Sequence, residues 1–225
     1  MVRLRITLKY CLAFYCVIMV YASLHELVHH FAGYLVCGDW GYKSFNYFKT
    51  TCDESDNSRF IATYAGPIFS YIMMYIGMWM LNPRNSAYQN HMGFALIFAQ
   101  LPLQRMYNPF FRMNDEFYAS VHVFGDTPWT YWLTIIIIWI ICVPPLIRAY
   151  KAIQNRRKVL WFLFYLVLFP YLLFGPFFFG LEYLMVEKGV LDQTLIGIGL
   201  LFLLNELITV IILFRVKKYI DPLAS

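Results

Sequence analysis

The chain has 225 residues, of which 60% are hydrophobic and only 14% are charged. A typical soluble domain is roughly 45–50% apolar and about 25% charged, so this composition excludes an ordinary soluble protein and predicts a single all-α domain, residues 1–225, in a lipid bilayer. The net charge of +5 does not indicate a nucleic-acid partner, because the basic residues lie in short clusters beside apolar stretches rather than along one polar helix face.

Six apolar stretches are long enough to cross a bilayer core, which takes about 20 residues per helix. If the N-terminus is cytoplasmic, most of the 18 Lys and Arg residues fall on the cytoplasmic side, and a minority that includes Arg105 falls outside. The positive-inside rule therefore predicts a multi-pass integral membrane protein with both termini in the cytoplasm, and we expect it in the plasma (inner) membrane. The six predicted transmembrane helices cover 8–36, 59–81, 88–107, 129–149, 159–180 and 193–214.

The N-terminal stretch has an alternative interpretation. Three basic residues in the first nine positions, followed by the apolar run to Val20, resemble a secretory signal. The helical pattern continues through residues 31–36, however, beyond the polar cluster that interrupts the run. This continuity favours an uncleaved first transmembrane helix.

The five cysteines are of two kinds. Three lie inside apolar stretches, where Cys usually behaves as a small hydrophobe. Cys37 and Cys52 instead flank the polar loop after the first stretch, and they could form a disulfide if that loop faces an oxidising compartment.

The first apolar stretch contains the motif His25-Glu26-Leu27-Val28-His29. His25 and His29 are four residues apart, so on a helix they lie on one face and can bind the same metal ion. Glu26 stands beside that face, where it can hold a water molecule and accept its proton, as in the His-Glu-x-x-His zinc hydrolases. An ionisable residue at membrane depth costs roughly 2.5–3.5 kcal/mol on insertion scales and is usually retained for function. The motif therefore predicts a Zn²⁺ cofactor and a catalytic Glu26.

Two His leave the site incomplete, because catalytic zinc normally takes three protein ligands and keeps a fourth position for water. Asp115 follows a Pro-interrupted stretch at 108–114, and irregular chain at membrane depth is tolerated where it is buried or lines a wet cavity. Glu206, in the middle of the last apolar stretch, and His122, which would share a helix face with Asp115, are alternative third ligands. His30 points about 100° away from the motif around the helix and suits a supporting or interfacial role.

These features resemble the site-2 protease group of intramembrane zinc metalloproteases, the M50-like peptidases. The resemblance rests on the motif in an early transmembrane helix, on Ala65-Gly66-Pro67 at the start of the next one, and on an Asp that follows an Asn/Pro segment. It implies a metalloprotease-like core at 8–118, with additional transmembrane helices at 129–214.

The resemblance also implies roles for individual residues. The two motif His and Asp115 would bind zinc, and Glu26 would activate water. The family's Asn/Pro segment, which helps to hold the substrate in extended form, corresponds to Asn108 and Pro109. Asp115 lacks the Leu-Asp-Gly setting that is usual in the family.

The sequence therefore predicts a zinc-dependent peptidase that cuts a transmembrane or membrane-adjacent bond in a membrane protein or peptide. The alternative is a non-catalytic metal-binding membrane scaffold or pseudoprotease, whose structural metal would take four protein ligands. A di-iron lipid desaturase or hydroxylase is disfavoured, because such enzymes carry several His boxes and this chain has five His in all.

Overall fold

The structure is a computed structural model that describes residues 1–53 and 57–220. It is mostly helical, as predicted. In chain order the helices are α1 Leu8–Cys37, α2 Arg59–Met80, α3 Ala87–Ala99, α4 Pro102–Tyr107, α5 Asp115–Phe124, α6 Pro128–Ala152, α7 Lys158–Leu163, α8 Gly175–Val186 and α9 Leu200–Val216.

Within the described residues, four helical segments are long and apolar enough to cross a membrane: α1, α2, α6 and Lys158–Val186, which joins α7 to α8. Less than half of the apolar window of each is buried inside the protein. Leu35, Trp79 and Trp129, for example, are 80%, 78% and 83% exposed. Apolar surface on this scale suits a lipid environment better than water.

The prediction of one continuous helix over 88–107 is wrong. Helix α3 ends at Ala99, Leu101 adopts a left-handed conformation with φ 51°, and α4 begins at Pro102. Proline lacks an N–H, and its ring clashes with the carbonyl four residues earlier, so a helix does not continue through it without a break. A 3₁₀ turn at Asn108–Phe111 follows α4 and leads towards α5.

The all-α prediction also needs a correction, because four two-residue strands form a small sheet. Strands β1 (Tyr42–Lys43) and β2 (Phe48–Lys49) form one antiparallel hairpin. Strands β3 (Thr194–Leu195) and β4 (Ile198–Gly199) form a second. A parallel pairing of β1 with β4 joins the hairpins in the order β2-β1-β4-β3.

The second hairpin explains why the predicted helix over 193–214 starts too early. Its turn is made by Ile196 and Gly197, whose φ angles of 50° and 76° are both positive. Positive φ at both central residues is typical of a type I′ turn between antiparallel strands. Helix α9 therefore begins only at Leu200.

Helix α1 is central to the fold and packs against α2, α3 and α9. Near its N-terminal end, Phe14 is buried against the rings of Phe94, Tyr165 and Phe169, with centroids 4.6–6.3 Å apart. Towards its other end, the ring of Phe48 stacks on His29 at 4.3 Å. The small sheet is thus held at the level of the motif.

The loop after α1 is closed covalently. Cys37, the last residue of α1, forms a disulfide with Cys52. This is the pairing considered from the sequence. It ties the segment that follows β2 to the end of α1.

Candidate metal centre

The two motif His lie one turn apart on the side of α1 that packs against α2. His29 is fully buried, and His25 is 7% exposed. Their Nε2 atoms are 3.0 Å apart, and the rings are nearly perpendicular. The four-residue spacing therefore directs both nitrogens to one point, as the helical periodicity predicts.

Asp115 reaches the same point from α5, of which it is the first residue. The helix is capped by Asn114, whose Oδ1 accepts a hydrogen bond from the backbone N–H of Phe117 at 3.0 Å. Asp115 Oδ2 lies 3.3 Å from His25 Nε2 and 3.4 Å from His29 Nε2. Burial alone would raise the pKa of Asp115, but hydrogen bonds and charge interactions with the two imidazoles outweigh burial and hold the pKa well below its usual range. The ionised carboxylate that this environment favours is the form that binds a metal ion.

The spacing of these three atoms fits a metal ion. A tetrahedral zinc ion with bonds of about 2.0–2.1 Å separates its ligand atoms by about 3.3–3.4 Å, and the observed separations are 3.0, 3.3 and 3.4 Å. Two imidazoles and one carboxylate are also a ligand set found in catalytic zinc sites. His25, His29 and Asp115 thus form a group that could hold a metal ion.

Small residues on one face of α2 contact the two His on the side of each ring that points away from the metal-binding group. Ala62, Gly66 and Ser70 recur every four residues, so they share one helix face. His29 Nδ1 donates a hydrogen bond to the carbonyl oxygen of Ala62 at 2.8 Å, so in the neutral ring Nε2 carries no proton and is available to a metal. Ser70 Oγ lies 3.0 Å from His25 Nδ1. Small side chains allow this close approach of two helices.

A cavity of about 500 Å³ opens beside the group. Its wall includes His25, Asp115 and the half-buried Glu26. Asn108 also lines the cavity, and Pro109 is buried in the same 3₁₀ turn. The cavity is also lined by Asn46, Tyr47 and Phe48 around β2. Apolar lining residues come from the segment between α7 and α8 and from α8 itself: Leu166, Pro170, Phe174 and Phe178.

The alternative third ligands lie elsewhere. Glu206 accepts hydrogen bonds from Ser23 Oγ at 2.5 Å and from Asn205 Nδ2 at 3.1 Å. His122 is exposed, and its Nδ1 donates to the carbonyl oxygen of Tyr118 at 2.8 Å. Over residues 1–53 and 57–220, the metal-binding group includes neither of them.

The adjacent His30 has a supporting role in the fold. Its Nε2 donates to the carbonyl oxygen of Ile196 at 2.9 Å. Its ring stacks on Trp40 with a centroid distance of 5.1 Å. His30 therefore ties α1 to the turn of the second hairpin.

A buried polar network that was not predicted from the sequence lies next to His25. Arg105 was counted among the basic residues outside the membrane, yet its Nη1 donates to Glu116 Oε1 at 2.9 Å in a buried ion pair. Arg105 Nη2 lies 3.0 Å from both Ser70 Oγ and His25 Nδ1. The signal in the sequence was an Arg inside a stretch predicted to be transmembrane, since such residues usually have a partner and a function.

No protein-family model, curated protein or solved structure matches this chain. The resemblance to the M50-like peptidases therefore stays a prediction.

Proposed function

We propose that this protein is a zinc-dependent peptidase that hydrolyses a peptide bond within or next to a membrane. The observation that carries the proposal is the meeting of three ligand atoms, from His25, His29 and Asp115, beside a cavity that Glu26 also lines. A purely structural zinc site would more often be closed by four protein ligands. Three ligands next to a cavity leave room for water and a substrate.

Each residue has a chemical task in this proposal. His25, His29 and Asp115 would hold the zinc ion, which would polarise a carbonyl group and lower the pKa of a water molecule to about 7. Glu26 follows His25 directly and lines the same cavity, so its carboxylate can accept a proton from the attacking water and pass it to the leaving amine. The two His and Asp115 keep the reaction centre at the cavity wall.

The cavity favours an extended, apolar peptide as the substrate. Strand β2 pairs with β1 on one side and is the edge of the sheet, and its Phe48 lines the cavity. An extended peptide can add to such an edge through main-chain hydrogen bonds. Leu166, Phe174 and Phe178 line the cavity as well and suit apolar side chains of a membrane protein.

The proposal is tested with the protein purified in detergent, by measuring its zinc content and its cleavage of apolar peptides and model membrane substrates. Glu26→Gln should keep the zinc and lose about 10²–10⁴-fold in cleavage rate, the usual contribution of a general base. Asp115→Asn should lose zinc and activity together. The matched control is Glu206→Gln, which removes a buried carboxylate bonded to Ser23 and should leave the zinc content unchanged.

Two results would contradict the proposal. One is a Glu26→Gln variant that cleaves as fast as the wild type. The other is a protein that contains stoichiometric zinc, unfolds when the zinc is removed, and cleaves none of the substrates tried. This result would favour the metal-binding scaffold. Loss of zinc in Glu206→Gln would instead mean that the ligand set is different.

A further inference from the structure

The two motif His differ in what faces the nitrogen that points away from the metal-binding group. His29 Nδ1 faces the carbonyl oxygen of Ala62 at 2.8 Å. A carbonyl oxygen only accepts hydrogen bonds, so the proton of the neutral His29 ring is fixed on Nδ1. His25 Nδ1 instead faces Ser70 Oγ and Arg105 Nη2, each at 3.0 Å.

These two neighbours favour opposite tautomers of His25. A guanidinium only donates, whereas a hydroxyl both donates and accepts. If Arg105 donates directly to Nδ1, the neutral ring carries its proton on Nε2, the atom that faces Asp115, and that nitrogen cannot bind a metal. If Nδ1 donates to Ser70 Oγ, Nε2 is free.

The second arrangement satisfies all three groups. Ser70 Oγ has two lone pairs, so it can accept from His25 Nδ1 and from Arg105 Nη2, which lies 3.0 Å away. Ser70 is 1% exposed, so water cannot easily replace its hydroxyl.

Two further hydrogen bonds hold the Arg105 guanidinium beside His25. Nη1 donates to Glu116 Oε1 at 2.9 Å, and Nε donates to the carbonyl oxygen of Gln100 at 3.0 Å. Tyr71 also donates to Glu116 Oε1 at 2.6 Å, which holds the carboxylate in place. The guanidinium is therefore kept against His25.

We propose that Ser70 is a positioning residue that selects the metal-binding tautomer of His25, and that Arg105 is the competing donor. The inference rests on the proposed metal site and adds to it a hydroxyl that does not itself bind the metal. Partners of this kind typically change metal affinity by 10–100-fold. Without the hydroxyl, Arg105 would donate to Nδ1 and leave the proton on Nε2.

The test measures zinc affinity of the metal-free full chain in detergent, by competition with a chromophoric chelator. Ser70→Ala should bind zinc about 10–100-fold more weakly than the wild type. Ser120→Ala is the matched control, because it deletes a buried hydroxyl that bonds Tyr64 Oη at 2.8 Å, and its affinity should not change.

A second comparison isolates Arg105. Ser70→Ala is repeated in a background in which Arg105→Met and Glu116→Leu replace the ion pair with apolar side chains, a change that is often tolerated. No competing donor remains there, so Ser70→Ala should weaken zinc binding less than it does in the wild-type background. Such a difference between backgrounds is a coupling that a merely structural serine would not produce.

The outcomes separate this inference from the proposed function. If the wild type binds zinc and Ser70→Ala binds it equally well, the role of Ser70 is wrong. If Ser70→Ala lowers the zinc affinity by the same factor in both backgrounds, Arg105 does not compete for His25 Nδ1 and the proposed tautomer selection is wrong. If the wild type does not bind one zinc ion per chain, the proposed function fails and this inference fails with it.

Discussion

The imidazole of His29 occupies the space that a side chain at position 66 would need. A Cβ added to Gly66 would overlap three ring atoms of His29, including Nε2. The glycine therefore lets α2 approach α1 closely enough for the Ala62 carbonyl oxygen to accept the hydrogen bond from His29 Nδ1. Gly66 therefore bears on the position of His29 as well as on helix packing.

We expect Gly66→Ala to displace the His29 ring or push the helices apart. Overpacking of this kind usually costs about 1–3 kcal/mol of stability, and a displaced ligand should lower zinc affinity by about tenfold or more. Thermal unfolding and zinc titration measure the two effects separately.

The control for this substitution is Gly93→Ala, at a position in α3 that packs against α2. A Cβ there would meet Met80 Cβ at 2.6 Å and the carbonyl oxygen of Gly77 at 2.7 Å, so stability should fall while zinc affinity stays at the wild-type value. Gly180→Ala, where a Cβ meets nothing within 4 Å, should change neither. A Gly66→Ala variant with wild-type zinc affinity would show that this close contact is not needed by the site.

Glu182 on α8 anchors the turn between β1 and β2. Its Oε1 accepts from Ser44 Oγ at 2.7 Å, and its Oε2 accepts from the backbone N–H of Phe45 at 2.8 Å and of Asn46 at 3.3 Å. This turn leads into the strand that lines the cavity, so its anchor should matter for substrate binding.

We expect Glu182→Ala to raise KM for a cleaved peptide and to leave zinc affinity unchanged. Stability should fall by about 1.5–3 kcal/mol, the usual value of hydrogen bonds to a charged group. The control is Glu187→Ala, an exposed carboxylate beyond the end of the same helix. An unchanged KM in Glu182→Ala would argue against β2 as a wall of the substrate site.

The disulfide between Cys37 and Cys52 gives a test of orientation. Disulfides persist in oxidising compartments, so the loop after α1 should lie outside the cytoplasm, as the distribution of basic residues also predicts. The bridge spans 15 residues, and closing a loop of this length contributes about 3 kcal/mol in the chain-entropy model.

We therefore expect a reductant to lower the melting temperature of the wild type and to have no effect on a Cys37→Ser/Cys52→Ser variant. In intact cells, single-Cys variants in this loop should react with a membrane-impermeant thiol reagent. Reaction only after the cells are broken would reverse the predicted orientation.

The helices that sequence analysis located well are those with long apolar periodicity and clear ends. Helix α1 begins after Thr7, whose Oγ1 caps the helix by accepting from the N–H of Tyr10, and it ends at Cys37, just before Gly38, whose φ is 81°. Both residue types are usual at helix ends. The break before Pro102 was visible in the sequence and was missed, because the apolar run continued across it.

The small sheet could not be predicted, because each strand has two residues and periodicity needs longer segments. Its pairing depends on β1 meeting β4, more than 150 residues away in the chain. No local pattern encodes a contact of that range.

The part of the candidate site that the sequence anticipates is the part in which residue spacing fixes geometry. The two motif His are neighbours on any helix, so their meeting follows from the sequence. Asp115 was one of several candidate third ligands in the sequence, and the structure brings it to the group through α5. Ser70 and Arg105 were missed, because their position behind His25 depends on the packing of α1, α2 and α4 together.

Lys43 gives a prediction about pH, because it is fully buried in the sheet. Its ammonium group lies 3.5 Å from the centroid of Phe202 and donates to the carbonyl oxygen of Ser44 at 2.7 Å. Burial lowers the pKa of Lys43 to about 8, although the nearby carboxylates of Glu26, Glu206 and Glu182 favour the charged form.

The sign of the effect follows from the two pKa values. Below pH 8 the lysine is charged in both the folded and the unfolded chain, so the cost of burying the charge is fully present. Between about pH 8 and the unfolded value of about 10.4, the unfolded chain binds a proton that the folded chain does not, and stability rises with pH. From pH 8 to 10 the free energy of unfolding should increase by roughly 2–3 kcal/mol.

Unfolding in detergent at several pH values measures this rise in the free energy of unfolding. The Lys43→Met variant removes the ionisable group that causes it. We expect Lys43→Met to be more stable than the wild type at pH 7, because no charge is buried, and to show a flatter profile between pH 8 and 10. Lys188→Met is the control, since Lys188 is exposed, and it should keep the wild-type slope. If Lys43→Met keeps that slope as well, another group is responsible for the pH dependence.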